Sequence, residues 1–316
     1  MNRINISLII LSLLFIGGVA VAFYPHAPAP AGEVVSVNQE TFNGYWRQGK
    51  AELLRYELAQ ERYGEIREGE AVLVSVIEPF LPVTQVKYEG LPADDAAESV
   101  LKMIFTRRFH TGIYPYSMMT TVFTPLGAAP VPPYKVTATS QEWCGHTFTQ
   151  VNHRDNVFEV ASYSYFQDEG DERFTTDVAV LEDELWTRIR LRPSSLPTGT
   201  LDVIPRLDYQ RMRHARFASF SAMASLTDFR DGDYPEEDLM EYVLTYHELP
   251  RTVRIRFQRD FPHRVLTWEE EMRDPSVPEE QWLVTRGRLA GSMMSDYWNR
   301  SSIVDSTLRH EFGLRF

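Results

Sequence analysis

The feature that most constrains the fold is an alternation of apolar and polar residues with period two, recurring along the chain between clusters of turn residues. Tyr242, Leu244 and Tyr246 precede Glu248-Leu249-Pro250-Arg251, and Val253, Ile255 and Phe257 follow it. Successive side chains of a strand point to opposite faces, so each triplet shares one face, and Arg254 and Arg256 take the other, solvated one. Pro250 suits a turn, because in a central strand it would forfeit a ladder hydrogen bond. The same reading predicts strands over 134–139, 147–151 and 157–165, the last two joined across His153-Arg154-Asp155-Asn156. Leu54, Tyr56 and Leu58 also alternate, which predicts a long hairpin with the run 71–77, turning near Glu68-Gly69. Two segments read as helices: 176–191, with Val178, Leu181, Leu185 and Ile189 on one stripe behind a Thr176 cap, and 306–312, with Asp305 to cap it and Gly313 to end it. Strand and helix do not alternate, which argues against a doubly wound parallel sheet. The expected fold is mainly β (α+β): one large curved antiparallel sheet system with one or two packed helices.

The start of the chain has a different character. Arg3 gives a positive start, residues 8–16 an apolar run, and Ala20-Val21-Ala22 a small-residue cleavage pattern, so residues 1–22 read as an export signal. The rival reading is an uncleaved amino-terminal membrane anchor, because the apolar stretch extends toward Tyr24, near the length of a spanning helix. Pro- and Ala-rich residues 23–33 read as a linker, and 34–316 as a single large β-rich domain. Hydrophobic residues make up 43% of the 316, enough to exclude disorder from lack of a core. Cys144 is the single cysteine, so an exported chain of this kind forms no internal disulfide and relies on its core. The net charge of −12 argues against nucleic acid as a partner.

Motifs with chemical meaning fail on inspection. Gly44 to Lys50 has the spacing of a phosphate-cradling loop, but Ala51 offers no hydroxyl for magnesium and Tyr45 and Trp46 crowd the loop. The acidic turn Asp168-Glu169-Gly170-Asp171-Glu172 lacks the calcium-loop spacing and reads as solvated, as does Asp231-Gly232-Asp233. His247-Glu248 and His310-Glu311 lack the second histidine of a zinc helix, so neither a metal nor a cofactor is expected. Cys144 and His146 share a face if their strand is regular, which makes them the weak catalytic candidates; the plainer reading of Cys144 is a small buried hydrophobe beside Trp143.

Thr111-Gly112-Ile113-Tyr114-Pro115-Tyr116-Ser117-Met118-Met119, Ser140-Gln141-Glu142-Trp143-Cys144-Gly145 and Glu182-Asp183-Glu184-Leu185-Trp186, with Gly49-Lys50-Ala51-Glu52 and Arg62-Tyr63-Gly64-Glu65, resemble a family of exported bacterial proteins of unknown activity. That family often carries the label septum formation inhibitor Maf. It is distinct from the Maf nucleotide pyrophosphatases, whose Ser-x-Ser-x-Arg start and α/β fold this sequence lacks. The resemblance implies export and supplies no catalytic residue.

Two classes of function are therefore expected. The leading one is non-enzymatic binding of an amphiphile or an envelope component on a concave aromatic face in the periplasm or cell envelope. Its expected site is formed by Tyr114, Tyr116, Met118, Gln141 and Trp143, since residues spaced by two share a face. The second is a hydrolase or transferase using Cys144 with His146, and a structural or assembly partner in the envelope is a further alternative.

Overall fold

The computed structural model describes residues 37–90, 96–127, 131–273 and 282–315; residues 1–22 and 23–33, read above as an export signal and a linker, lie outside them. In chain order, α1 (Gln39–Trp46) leads into β1 (Ala51–Arg62), β2 (Glu65–Leu81), β3 (Val86–Lys87), β4 (Glu98–Thr111), β5 (Tyr114–Pro125), β6 (Lys135–Glu142), β7 (Gly145–Arg154), β8 (Val157–Ser164) and β9 (Asp171–Asp177). There follow β10 (Val180–Leu181), α2 (Glu182–Leu191), β11 (Gly199–Ile204), α3 (Leu207–Arg213), β12 (Phe220–Phe229), β13 (Leu239–Tyr246), β14 (Arg251–Gln258), β15 (Val265–Met272), β16 (Leu283–Ser295) and α4 (Ser306–Glu311). Among the described residues no helix is long and apolar enough to cross a membrane.

All sixteen strands described belong to one mainly β sheet, in the order β10-β11-β12-β13-β14-β15-β16-β1-β2-β4-β5-β6-β7-β8-β9, with β3 paired to β2. Every pair is antiparallel except β10 with β11. Two antiparallel runs, β1 to β9 and β11 to β16, are sewn together where β1 meets β16. The two edges, β9 and β10, are joined through residues 178–179 alone, so at that point they approach within about 11 Å. Charged side chains blunt one edge, Asp171, Glu172, Arg173 and Asp177 in β9, and the other is only two residues long.

The curvature follows from what α2 touches. Its Glu182 pairs with Arg251 of β14, its Arg190 with Glu52 of β1, and its Thr187 hydroxyl with Thr124 of β5. In a flat sheet β14 and β5 would stand six strand spacings apart, about 29 Å, which one helix about 10 Å wide cannot bridge. The sheet therefore wraps around α2. Tyr242, Leu244, Tyr246, Val253, Ile255 and Phe257 all face inward as the alternation requires, joined by Leu54, Tyr56 and Leu58. On the convex face Arg256 pairs with Glu241 and Glu269, and Arg254 with Glu271.

Local departures from the expected pattern have physical causes. The β1–β2 turn is Tyr63-Gly64, both with positive φ, and Glu68-Gly69 continues the strand. Gly69 is needed there because a Cβ would strike the Arg108 carbonyl of the neighbouring strand. Asp155-Asn156, also both at positive φ, form the β7–β8 turn where expected, and residues 247–250 join β13 to β14. The helix expected over 176–191 begins only at Glu182. Thr176 belongs to β9, where it pairs with Phe158, and Leu181 stands at the N-cap without a side-chain bond. Asp305 precedes α4, but its carboxylate bonds back to the Ser302 amide of a preceding single turn.

The interior of the wrap holds charge as well as hydrocarbon. Arg251 of β14 is clamped between Glu182 and Glu270, Arg107 of β4 joins Glu270 to Asp208, and Arg206 reaches Asp208 and Asp183. Tyr246 donates to Glu182 at 2.6 Å. Rings cover the cluster: Phe105, Trp186 and Trp268 pack on one another, and Arg107 and Arg206 lie over them. Three guanidinium groups thus face four carboxyl groups, and burial pushes Asp183 up to about 7 despite Arg206 beside it. Its folded pKa lies above its unfolded one, so the native state holds this proton more tightly and stability falls as pH rises from about 4 through 7. Asp183→Asn is accordingly expected to gain stability relative to the unsubstituted protein across that window, read as a urea midpoint difference that widens with pH. A difference independent of pH would show that Asp183 is ionised throughout.

Candidate functional site

The β1–β2, β4–β5, β6–β7 and β8–β9 turns lie side by side at one end of the sheet, and their tips carry the exposed side chains Tyr63, Ile113, Trp143 and Tyr165. Within this row the structure brings Tyr114, Tyr116 and Trp143 together. Tyr114 stacks on Trp143 with ring centroids 6.2 Å apart and lies 5.8 Å from the Tyr116 ring. The Tyr116 and Tyr63 hydroxyls share a hydrogen bond of 2.9 Å, and Arg62 donates to both at 3.2 Å. Burial, with the Tyr63 bond next, raises the Tyr116 pKa.

The five-residue aromatic site expected from the sequence does not assemble as a groove. Tyr116 and Met118 face inward but are packed away, 1% and 3% exposed. Gln141 pairs with Ser117 across the ladder and points outward, on the other side of the sheet from Tyr116. Trp143 shares no strand face with it, because β6 ends at Glu142 and Trp143-Cys144 form the turn. At 70% exposure Trp143 is no core residue. Trp143→Ala is therefore expected to cost at most about 1.5 kcal/mol, the worth of its stacking on Tyr114, in denaturant unfolding; a loss of about 3 to 5 kcal/mol would mark a packed core position. Cys144 is likewise exposed, not a buried hydrophobe. His146 opposes Gln141 and is exposed, and no hydrogen bond joins it to Cys144. The segment Gly44 to Lys50 begins inside α1 and buries Trp46, so it is no phosphate loop.

It is Glu142, not Gln141, that enters the interior from this hairpin. It accepts a 3.0 Å bond from Arg211 of α3, while the Cys144 backbone amide donates to its other oxygen. The helix is pinned over this end of the sheet by further contacts: Arg62 donates to the Met212 carbonyl, Arg213 pairs with Glu61, and His214 meets Glu169. Between α3 and the inner face of β7, β8 and β9 lies a cavity of about 450 Å³. Its floor is Thr147, Thr149, Val160 and Ser162, and Phe174 and Phe217 form one wall. Phe166 stands beside Arg211, whose guanidinium lies 4.4 Å from the ring centroid. Asp168, Glu169 and Glu172, read from the sequence as a solvated turn, line the same cavity. A second hollow of about 510 Å³ follows the seam between the sheet edges, where Glu184 and Arg188 pair with each other at 2.6 Å.

Arg211 escaped the sequence reading because nothing in Gln210-Arg211-Met212-Arg213 marks it. A signal did exist in β7, where Thr147 and Thr149 occupy inward positions that a packed core would fill with Val or Leu. No protein-family model, curated protein or solved structure matches the chain.

Proposed function

We propose that the protein is a non-enzymatic binding module of the cell envelope, holding an amphiphile or other small envelope component in the cavity between α3 and the β7–β9 end of the sheet. The observation that carries this reading is the cavity. Its size falls within the range of about 300–1,000 Å³ usual for ligand pockets, and it combines phenyl rings with a few fixed polar groups. The concave aromatic face expected from the sequence is thereby moved along the sheet, from Tyr116 and Met118 to Phe166, Phe174 and Phe217. Export rests on Arg3, the apolar run and Ala20-Val21-Ala22. The reading through Cys144 and His146 gains no support from an exposed turn thiol and an exposed imidazole with no hydrogen bond between them.

The test is occupancy. Protein incubated with the small-molecule extract of its own envelope is expected to retain a bound species under native mass spectrometry, and Ala215→Trp, which projects a ring into the cavity, is expected to lose it. Retention by both proteins would count against the cavity, and retention by neither would reject the binding function.

A further inference from the structure

Resting on that binding reading, we infer that the cavity between α3 and β7–β9 takes a small zwitterion, an ammonium and an acidic group carried on one skeleton, free or as the head of a lipid. Its ionisable lining residues are Asp168, Glu169, Glu172, Arg211, His214 and Arg216. Three of them are already engaged: Arg211 is 8% exposed and pairs with Glu142, and Glu169 meets the His214 ring. Asp168, Glu172 and Arg216 are exposed, and their side chains make no hydrogen bond or ion pair with another described residue. Charges of both signs therefore stand at one cavity without meeting each other.

The local geometry separates them around apolar surface. Glu172 and Phe174 lie two apart on the inner side of β9, opposite Ser162 and Val160 of β8. The Phe174 ring meets Phe217 edge-on with centroids 5.8 Å apart, and Arg216 is the residue before Phe217. A carboxylate and a guanidinium thus flank one aromatic pair. An anion alone would gain Arg216 but face Asp168 and Glu172, and a cation alone would gain the carboxylates but face Arg216. A zwitterion serves both. Its ammonium has three donors for Asp168, Glu172 and a hydroxyl of the Thr149–Ser162 pair, and the phenyl faces favour a cation as well. Its acidic group suits the Arg216 fork, and the carbons between the two charges lie against Phe174 and Phe217.

Titration calorimetry on the full chain tests this with dialanine, glycerophosphoethanolamine and dihexanoyl-phosphatidylethanolamine below its micelle threshold. Ethanolamine and dihexanoyl-phosphatidylglycerol, which each keep only one of the two charges, are the comparison. At least one zwitterion is expected to bind, tenfold or more tighter than either singly charged probe. Arg216→Gln is expected to weaken it tenfold without weakening ethanolamine, and Glu172→Gln to weaken it severalfold; both side chains are exposed, so both variants are expected to fold as the parent does. Binding of dialanine or glycerophosphoethanolamine would identify a free zwitterion, and binding of the dihexanoyl lipid alone a lipid head. The inference is overturned if no zwitterion binds, if a singly charged probe binds as tightly, or if Arg216→Gln binds the zwitterion unchanged. In the first case, a species retained from envelope extract and lost in Ala215→Trp would keep the binding module while rejecting the zwitterion.

Discussion

Replacing Arg251 with methionine is expected to destabilise the protein by about 3–5 kcal/mol in chemical denaturation, among the largest losses a single residue here can produce. The side chain is fully buried, and its two terminal nitrogens serve Glu182 and Glu270 together. Without it both carboxylates remain in the interior with fewer counter-charges, and Tyr246 continues to donate to a Glu182 that has lost its main partner. The penalty belongs to the abandoned partners more than to the absent arginine. Arg251→Met combined with Glu182→Gln should therefore recover part of the loss. A single substitution costing under about 1 kcal/mol would mean that water reaches the cluster and solvates it.

Gly287→Ala is the second large effect, and it arises from steric overlap. Gly287 of β16 pairs with Trp268 of β15, and the indole lies across the glycine so closely that an added Cβ would fall inside contact distance of its Cε2 and Nε1 atoms. Trp268 cannot retreat, because Phe105, Trp186 and Arg107 enclose its other sides. Overpacking of this kind costs about 1–3 kcal/mol and sometimes more. The expected signature is a lowered denaturation midpoint together with an altered near-ultraviolet circular dichroism band. Trp268→Phe in the same chain should relieve part of the strain, and a variant as stable as the parent would show that the indole has room to move.

The strands were legible because one face of each meets the core and the other meets water, a contrast that period-two alternation records directly. Tyr242 to Tyr246 and Val253 to Phe257 are the clearest case. Turns were legible where both residues tolerate positive φ, as at Asp155-Asn156, and were misplaced where a glycine serves another purpose, as Gly69 does beside Arg108. The polarity of α2 gave no sign that Glu182, Asp183 and Arg190 are buried, because their partners Arg251, Arg206 and Glu52 lie outside the helix, two of them on strands distant in sequence. The aromatic site failed by a single residue of parity. Counting by two carries Gln141 to Trp143 only while the strand continues, and β6 stops between them. What replaced it, the Glu142–Arg211 contact, spans two hairpins and a helix and leaves no local pattern.

The pairing of β1 with β16 also has a kinetic consequence. Most strand pairs in this sheet are hairpins between near neighbours, which close within microseconds because little chain must be ordered first. β1 is different: its second neighbour arrives only at the far end of the chain, with Ala51 opposite Ser295. Loop closure over that separation is paid before any reward, so joining the two halves is the step expected to limit the folding rate. Until then β1 presents an open edge bearing Leu53, Leu54 and Tyr56, a template for pairing with another copy of the same chain. A chain cut short before Leu283 would keep that edge permanently, and it would form every hairpin except β15–β16 while remaining prone to aggregate.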